Sequence, residues 1–434
     1  MKIRVRDASF QDVLSAPVME HRDPVRPNRF FRTLLKNVCG PELKTVGFTW
    51  EQEGMERLKQ DEPCLILMNH SSFIDLKIAE IIFADRPLNI ICTSDGFVGK
   101  EWLMRQIGCV PTQKFVGDVT LIRDMQYALQ TLKSSVLMFP EASYSFDGSA
   151  TPLPESLGKL LKILKVPVIH VRTYGAFQRD PLYNNLQLRD VKVSAKVRYL
   201  LSPEEIQGRS REDINEILRE AFTFDHWRWQ KENGIRVSEP FRADHLNRVL
   251  YKCACCGAEG HMTGKGIQLS CGACGAVWEL TEYGELAPVS PQAQETPAER
   301  SFSYVTDWYR WERACVHSEL ENGTYRLDEE VEICVMKNTE CIYRVGKGRL
   351  VHDLNGFHLT GCDGALDYTQ KPLACYSLYS DYYWYELGDM ICIGNQEMLY
   401  YCFPENGENV AARTRLAVEE LYRMRKPARR IIAG

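Results

Sequence analysis

His70 stands between two apolar runs of the sequence, and Asp75 follows five positions later, at the start of the second run. The run "CLILM" (64–68) predicts a buried strand, and the residues after Ser72 predict a helix with Asp75 in its first turn. An imidazole titrates near neutral pH, so His70 could take a proton from a hydroxyl nucleophile. A carboxylate on its second nitrogen would fix the tautomer. Ser72 and Asp75 also have the spacing of a capping box, which is a purely structural alternative with His70 as a buried histidine.

Alternating strand and helix patterns between residues 64 and 200 must position this pair. The strand-like runs are "CLILM", "LNIICTS", "SVLMF", "VPVIHV" and "VKVSAKVRYL", and helices are predicted at 72–84, 99–107, 120–133 and 156–165. This alternation predicts an α/β domain with a largely parallel sheet flanked by helices. Catalytic groups collect at the strand ends of such sheets, because the loops there open into a crevice. The segment "TWEQEGMERLKQ" (49–60) is predicted to be helical.

Three further segments follow "NHSSFID" (69–75) along the chain: "GCVPTQK" (108–114), "FPEAS" (139–143) and "VPVIHV" (166–171). Their order and spacing are those of the four blocks of the glycerolipid acyltransferases. Over roughly residues 40–200 the chain therefore resembles this family, to which 1-acylglycerol-3-phosphate acyltransferase belongs.

The resemblance implies an O-acyltransferase. His70 would be the general base that activates an acceptor hydroxyl, and Asp75 would orient it. The acyl group would come directly from the thioester of acyl-CoA or acyl-carrier protein, and the acceptor would be a lysophospholipid or a glycerol phosphate-type lipid. The chain would act in phospholipid biosynthesis.

The resemblance also implies substrate-binding residues. Lys114 stands where the family usually has an arginine that holds the acceptor phosphate, and the turn Glu141, Ala142, Ser143 would bind the acceptor. The family's usual turn is Phe-Pro-Glu-Gly-Thr-Arg, so here an alanine replaces the glycine and Tyr144 replaces the arginine. These departures leave open whether the acceptor carries a phosphate. Arg123 and Arg172 are the candidates to supply the missing positive charge.

Four cysteines form two knuckles, Cys253-x-x-Cys256-Gly and Cys271-x-x-Cys274-Gly, which are separated by fourteen residues. This spacing predicts a zinc ribbon in which four thiolates close the coordination shell, so that Zn2+ would have a structural role. Cys255 leaves open which thiols of the first knuckle bind. Reduced buried cysteines and a redox pair are the alternatives.

The predicted domains are an acyltransferase domain with a basic N-terminal segment (1–245), the zinc ribbon (246–286), a Pro/Ala/Gln linker (287–300) and a C-terminal domain (301–434). In the C-terminal domain, short aromatic and β-branched runs separated by Asn-Gly and Asp-Gly turns predict antiparallel strands, with a final helix at about 409–426. This mainly β layout resembles a pleckstrin-homology-type barrel. We interpret it as a binding or regulatory module.

Composition and charge limit the partners and the cellular location that the protein could have. The 434 residues carry a net charge of −5, which argues against a nucleic-acid partner. No run approaches the ~20 apolar residues of a membrane span, and sixteen cysteines without an export signal indicate the cytosol. The basic segment 22–36 with Phe30, Phe31, Leu34 and Leu35 is either a solvated face or a helix that enters lipid headgroups. The expected location is the inner face of the membrane, and a catalytically inactive lipid-binding or scaffold protein is the alternative function.

Overall fold

The structure of the protein is a computed structural model that describes residues 3–405 and 410–426. The end of the predicted C-terminal domain, residues 427–434, lies outside the described residues. The chain begins with β1 (Val5–Asp7), α1 (Phe10–Ser15) and α2 (Arg29–Thr45). Within the described ranges, no helix is both long enough and apolar enough to cross a bilayer.

A mixed sheet flanked by helices forms the next part of the chain. Its strands are β2 (Thr49–Glu53), β3 (Leu65–Met68), β4 (Leu88–Thr93), β5 (Cys109–Thr112), β6 (Ser135–Met138), β7 (Val168–Tyr174) and β8 (Ser194–Leu201). The helices are α3 (Ile74–Ile82), α4 (Glu101–Gln106), α5 (Val119–Gln126), α6 (Leu157–Leu164), α7 (Ala176–Arg179), α8 (Pro203–Gly208), α9 (Arg211–Phe222) and α10 (His226–Glu232). The strand order is β2-β8-β7-β3-β6-β4-β5, and neighbours run parallel except for β7 and β8.

Strand β3 lies at the centre of this sheet and is buried on both faces. Ile66 and Met68 pack into one apolar cluster with Ile78 of α3, whereas Leu65 and Leu67 pack into the cluster on the other face. A strand covered by helices on both sides has a continuous apolar run, which is why "CLILM" lacks alternation. Because β3 ends at Met68, the residues that follow lie at the edge of the sheet where the carboxyl ends of the parallel strands meet.

The helix predicted for residues 49–60 was wrong. Residues 49–53 form β2, an exposed edge strand that pairs in parallel with β8, and a single helical turn follows at 55–57. Lys196 of β8 forms ion pairs with Glu51 and Glu53 across this pairing. Pairing with a neighbouring strand can override a helical preference in the local sequence, because strand formation depends on tertiary context.

The cysteine-rich segment forms a small antiparallel sheet. Its strands are β9 (Met262–Lys265), β10 (Gln268–Cys271), β11 (Val277–Leu280) and β12 (Leu286–Pro288), in the order β12-β11-β10-β9. Part of the predicted linker 287–300 belongs to this unit, because β12 extends into it and α11 (Pro291–Gln294) buries Ala293 against the same core. Residues 287–294 of the predicted linker are therefore packed against the small sheet.

The C-terminal part is an antiparallel sheet with two long helices. Its elements are α12 (Val305–Glu321), β13 (Leu327–Met336), β14 (Ile342–Asp353), β15 (Gly356–Gly361), β16 (Leu366–Gln370), β17 (Tyr379–Trp384), β18 (Gly388–Gly394), β19 (Leu399–Pro404) and α13 (Val410–Arg425). The strand order is β16-β15-β14-β13-β19-β18-β17, and β1 joins β14 in parallel. The predicted antiparallel strands are confirmed, whereas the pleckstrin-homology-type barrel stays a prediction.

Strand β17 of the C-terminal sheet packs directly on the part of the chain that forms the mixed sheet. The hydroxyl of Tyr379 and the indole N–H of Trp384 both donate to the buried carboxylate of Asp95, which follows β4. The hydroxyl of Tyr382 donates to the carbonyl of Arg248. These buried contacts bring residues of β17 close to the edge of the sheet where β3 ends.

Candidate active site and metal centre

His70 and Asp75 lie together at the carboxyl end of β3. Nδ1 of His70 is 3.2 Å from Oδ2 of Asp75. The chain turns sharply after Met68 and enters α3, which returns the carboxylate of its first turn to the imidazole. With Nδ1–H donating to Asp75, Nε2 is the unprotonated nitrogen, which is the arrangement that a general base requires.

The carboxylate of Asp75 is fully buried and accepts several hydrogen bonds. Oδ2 accepts from the backbone N–H of Ser71 at 2.6 Å and of Ser72 at 2.9 Å, and Oδ1 accepts from the hydroxyl of Thr173 at 3.3 Å. The geometry is compatible with both the structural and the functional interpretation of Asp75, because the same oxygen accepts the N–H groups at the helix start and faces His70. The side chain of Asn69 fixes Thr173 from the other side by accepting its backbone N–H.

The imidazole of His70 is held between two aromatic rings. The ring centre of Phe139 lies 4.1 Å away at an interplanar angle of 24°, and that of Tyr144 lies 3.9 Å away with its ring tilted by 33°. Two rings at such distances cannot share one face, so they cover opposite faces of the imidazole. The His70 side chain is 18% exposed. Burial lowers its pKa, while the hydrogen bond to Asp75 and the charge of Asp75 act in the opposite direction.

Glu141 connects the predicted acceptor turn to His70. Its Oε2 accepts the backbone N–H of His70 and its Oε1 accepts that of Thr151, both at 2.8 Å. Burial raises the pKa of this carboxyl to about 7, and the backbone hydrogen bonds act against that rise. The next residue, Ala142, has a φ of 55°. The turn therefore keeps a left-handed backbone at the position where the family usually has glycine, although alanine is less suited to it.

Lys114 lies in the loop after β5, next to the C-terminal sheet. Its Nζ is 4.0 Å from the centre of the Tyr379 ring, which is cation–π geometry. Burial lowers the pKa of Lys114, whereas the carboxylates of Asp381 and Asp95 act to raise it. Its positive charge contributes to the lowered pKa of His70. The predicted substrate-binding lysine thus stands near the His70–Asp75 pair and also contacts β17.

Sequence reasoning missed Arg415, a buried arginine of α13 that reaches the predicted acceptor turn. Its Nη2 donates to the hydroxyl of Ser143 at 3.2 Å and to that of Thr151 at 3.4 Å. The two arginines predicted to supply the missing positive charge lie elsewhere. The guanidinium of Arg172 donates to carbonyls at the end of α9, and Arg123 is exposed on α5. No local signal marks Arg415, because 272 residues separate it from Ser143.

The four predicted metal ligands converge in the small sheet. The Sγ atoms of Cys253, Cys256, Cys271 and Cys274 all lie within 4.8 Å of one another. Two of the Sγ–Sγ distances, Cys253–Cys274 and Cys256–Cys271, are 3.8 Å. With Zn–S bonds of about 2.3 Å, the edge of a tetrahedron is also about 3.8 Å. The donor set and its spacing therefore fit a metal held by four thiolates.

The two knuckles have the same backbone form. Gly257 donates its N–H to the carbonyl of Cys253 at 2.8 Å. Gly275 repeats this contact with Cys271 at 2.9 Å, and both glycines have a positive φ, of 78° and 75°. Cys255 is not part of the cluster, since its Sγ contacts a carbonyl of α11. The first knuckle therefore presents its first and fourth positions to the metal site.

Comparisons with known proteins bear on the part of the chain around His70. The family model described as Acyltransferase matches residues 50–173. No curated protein matches the chain. One similar solved structure is the 1-acyl-sn-glycerophosphate acyltransferase PlsC from Thermotoga maritima, with 19% identity over 44% of this chain and 78% of that one and a TM-score of 0.34. A likeness at this level carries no functional argument. The family match confirms the resemblance predicted from the four blocks: residues 50–173 are a domain of the acyltransferase family.

Proposed function

We propose that the protein is an O-acyltransferase that moves a fatty acyl group from acyl-CoA or acyl-carrier protein to a lysophospholipid or a glycerol phosphate-type acceptor, in phospholipid biosynthesis. The observation that carries the proposal is the 3.2 Å contact between Nδ1 of His70 and the buried carboxylate of Asp75, at a sheet edge within the acyltransferase-family domain. This contact leaves Nε2 of His70 to accept a proton.

In the proposed mechanism, Nε2 of His70 removes the proton from the acceptor hydroxyl as its oxygen attacks the thioester carbonyl. Asp75 stabilises the imidazolium that forms. The tetrahedral intermediate collapses, the C–S bond breaks, and the proton passes from His70 to the leaving thiolate. The products are an ester and a free thiol, and no acyl-enzyme forms. Because Phe139 and Tyr144 cover both faces of the imidazole, the acceptor must approach the edge of the ring.

Lys114, Glu141, Ala142 and Ser143 have supporting roles in this proposal. The Lys114 ammonium would attract an anionic acceptor or donor, since its charge already acts on His70. Glu141 would hold the backbone of His70 in place, and Ala142 and Ser143 would shape the acceptor turn. In this proposal the substrate would lie between the acyltransferase-family domain and β17, since Lys114 contacts Tyr379 of β17.

Substitution of His70 tests the reaction. The purified protein is incubated with acyl-CoA or acyl-carrier protein and several lyso-acceptors, and the product is identified by mass. We expect His70→Ala to lower the rate about 10²–10⁴-fold while the fold is kept. A folded His70→Ala protein that consumes thioester at the wild-type rate would refute the mechanism.

We also propose that the protein binds the inner face of the cytoplasmic membrane through α2 and α4. Phe30 on α2 is 69% exposed and Trp102 on α4 is 68% exposed. Phe31 links these surfaces by an edge contact with Trp102. Exposed aromatic residues beside basic ones favour insertion into anionic headgroups. We expect Phe30→Glu to reduce co-sedimentation with anionic liposomes, whereas Leu373→Glu in the C-terminal domain, 50% exposed in the native protein, serves as the matched control.

Zinc is the metal we propose for the four cysteines, with a structural role. Four thiolates at tetrahedral spacing suit Zn2+ and leave no open coordination position for a substrate. Cys253, Cys256, Cys271 and Cys274 would hold the metal, and the ion would stabilise the small sheet and the loops that pack on α12. Metal analysis of the purified protein, with one zinc per chain expected, tests the assignment.

A catalytically inactive lipid-binding or scaffold protein is the second candidate function. The observation that favours it is the close contact of the Tyr144 ring with the imidazole of His70, because the family usually has an arginine at position 144. This hypothesis predicts no transfer to any acceptor tested and lipid binding that Asp75→Asn does not change. Turnover with any acyl thioester would exclude it.

A further inference from the structure

The segment that joins α1 to α2, residues 16–28, forms neither a helix nor a strand. Two backbone groups of its first half are hydrogen-bonded to the loop between β13 and β14. Further along, the carbonyl of Arg22 accepts from the guanidinium of Arg105 of α4 at 3.0 Å. The guanidinium of Arg22 itself lies 3.6 Å from a carboxylate oxygen of Glu101. The backbone at residue 22 is therefore held against α4, and its two neighbours in the sequence have fixed positions.

These two neighbours, His21 and Asp23, meet Asp124 of α5. A ring nitrogen of His21 and one carboxylate oxygen from each aspartate all lie within 4.8 Å of one another. Nε2 of His21 is 2.9 Å from Oδ1 of Asp124. With metal–ligand bonds of about 2.1 Å, neighbouring corners of an octahedron are about 3.0 Å apart and opposite corners about 4.2 Å apart. The three atoms are therefore close enough together to bind a single ion.

The surroundings of Asp124 point to a cation as the missing partner. The residue is only 5% exposed, and His21 is the one hydrogen-bond or ion-pair partner of its carboxylate within residues 3–405 and 410–426. Its second oxygen, Oδ2, has no hydrogen-bond partner in these ranges and remains accessible to solvent. Buried carboxylates in proteins are normally paired with a positive charge or bound to a metal. Arg22 does not provide that charge, because it pairs with Glu101 instead.

We propose that His21, Asp23 and Asp124 bind one divalent metal ion, with water molecules as its remaining ligands. One neutral imidazole and two carboxylates carry a net charge of −2, which a divalent cation neutralises. Imidazole and carboxylate donors suit first-row divalent ions such as Mn2+, whereas the thiolates of the four-cysteine cluster suit zinc. The bound ion would join residues 21–23 to α5 and so fix the segment that leads into α2. Two of the three ligands precede the residues that match the acyltransferase family model.

Titration of the full-length protein with Mn2+ tests the site, with the free ion measured by its electron paramagnetic resonance signal. Mn2+ prefers oxygen ligands and water, so it should not enter the four-cysteine cluster. We expect saturable binding of one Mn2+ per chain. His21→Ala and Asp23→Asn change exposed side chains, so the fold should be kept. Each should weaken Mn2+ binding about tenfold or more, since even the loss of a group that only supports a metal ligand typically costs this much.

His358→Ala is the matched control. The side chain of His358 is 50% exposed, as is that of His21, and its Nε2 lies 3.0 Å from Oδ1 of Asp367. In the described part of the chain, no third metal-binding group joins this pair. The affinity of His358→Ala for Mn2+ should therefore equal that of the wild type. The absence of saturable Mn2+ binding in the wild type, or equal affinities of the wild type and Asp23→Asn, would overturn the proposal and leave an ordinary histidine–aspartate contact.

Urea unfolding gives a second measurement of the same site. An ion that binds only the folded chain stabilises it in proportion to the logarithm of its concentration once the site is saturated. Mn2+ should therefore raise the urea midpoint of the wild type and of His358→Ala, and raise that of Asp23→Asn much less. An equal rise in all three proteins would overturn the proposal. Neither measurement needs turnover, so a failure of the acyltransferase proposal would leave both results unaffected.

Discussion

Replacement of Asp75 by asparagine separates the two roles of this residue. Asparagine can place its carbonyl oxygen where Oδ2 accepts from Ser71 and Ser72, with its amide group toward the hydroxyl of Thr173. Two backbone hydrogen bonds to a charged group then become bonds to a neutral one. At about 1 kcal/mol for each such change, we expect the free energy of unfolding to fall by about 2 kcal/mol. The protein should remain folded.

The same substitution should have a much larger effect on the reaction. Asp75 raises the pKa of His70 against the effect of burial, so its neutralisation should lower that pKa further and destabilise the imidazolium. We expect the rate of acyl transfer to fall about 10²–10⁴-fold. The assays are urea unfolding, acyl transfer at saturating substrates and an NMR titration of His70.

Thr173→Val is the matched control for Asp75→Asn, since it removes one donor to the carboxylate and keeps the charge. It should cost about 1 kcal/mol and lower the rate less than tenfold. A folded Asp75→Asn protein with the wild-type rate and an unchanged pKa of His70 would refute the assigned role of Asp75.

Three further predictions concern Lys114, Glu141 and the cysteines. The charge of Lys114 lowers the pKa of His70, so Lys114→Met should raise that pKa and move the acidic limb of the pH–rate profile to higher pH. An unchanged acidic limb would contradict the electrostatic effect of Lys114 on His70. Glu141→Gln leaves one backbone N–H facing an amide group and should cost about 1–3 kcal/mol. Folding raises the pKa of Glu141 from 4.5 to about 7, so between these pH values the folded protein binds more protons than the unfolded one. As the pH rises from about 4.5 to about 7, the free energy of unfolding of the wild type should therefore fall by up to about 3 kcal/mol relative to that of Glu141→Gln. Urea unfolding at pH 5 and pH 8 checks this, and a pH-independent difference would exclude it. Cys256→Ser should lower the zinc content of the purified protein, whereas Cys255→Ser should leave it unchanged, and equal losses in both would contradict the ligand set.

Local contacts of the site were predictable from the sequence. His70 and Asp75 are five residues apart, and a strand followed by a helix brings them together without help from distant segments. The first and fourth positions of each knuckle meet for a similar reason, because the two tight turns repeat one backbone form. The apolar run of β3 predicted a buried strand, which the structure confirms.

Long-range contacts were not predictable. Tyr379 contacts Lys114 and Arg415 contacts Ser143, although each pair is far apart in the sequence. No sequence pattern links residues at such separations. The prediction of a helix at 49–60 was wrong for a related reason, because residues 49–53 form a strand only through their pairing with β8. These contacts could not be predicted from the four blocks alone.

The parallel pairing of β1 with β14 makes the order of synthesis important. Val5 pairs with Ile342, so the first strand leaves the ribosome 337 residues before its partner. At about 5–20 residues per second, it waits roughly 20–70 s. During that interval a newly made chain carries an unpaired strand edge beside a domain that still lacks Tyr379 and Arg415. A nascent chain therefore cannot complete the surroundings of His70 until residues 379 and 415 have been synthesised, which delays any activity that depends on these surroundings.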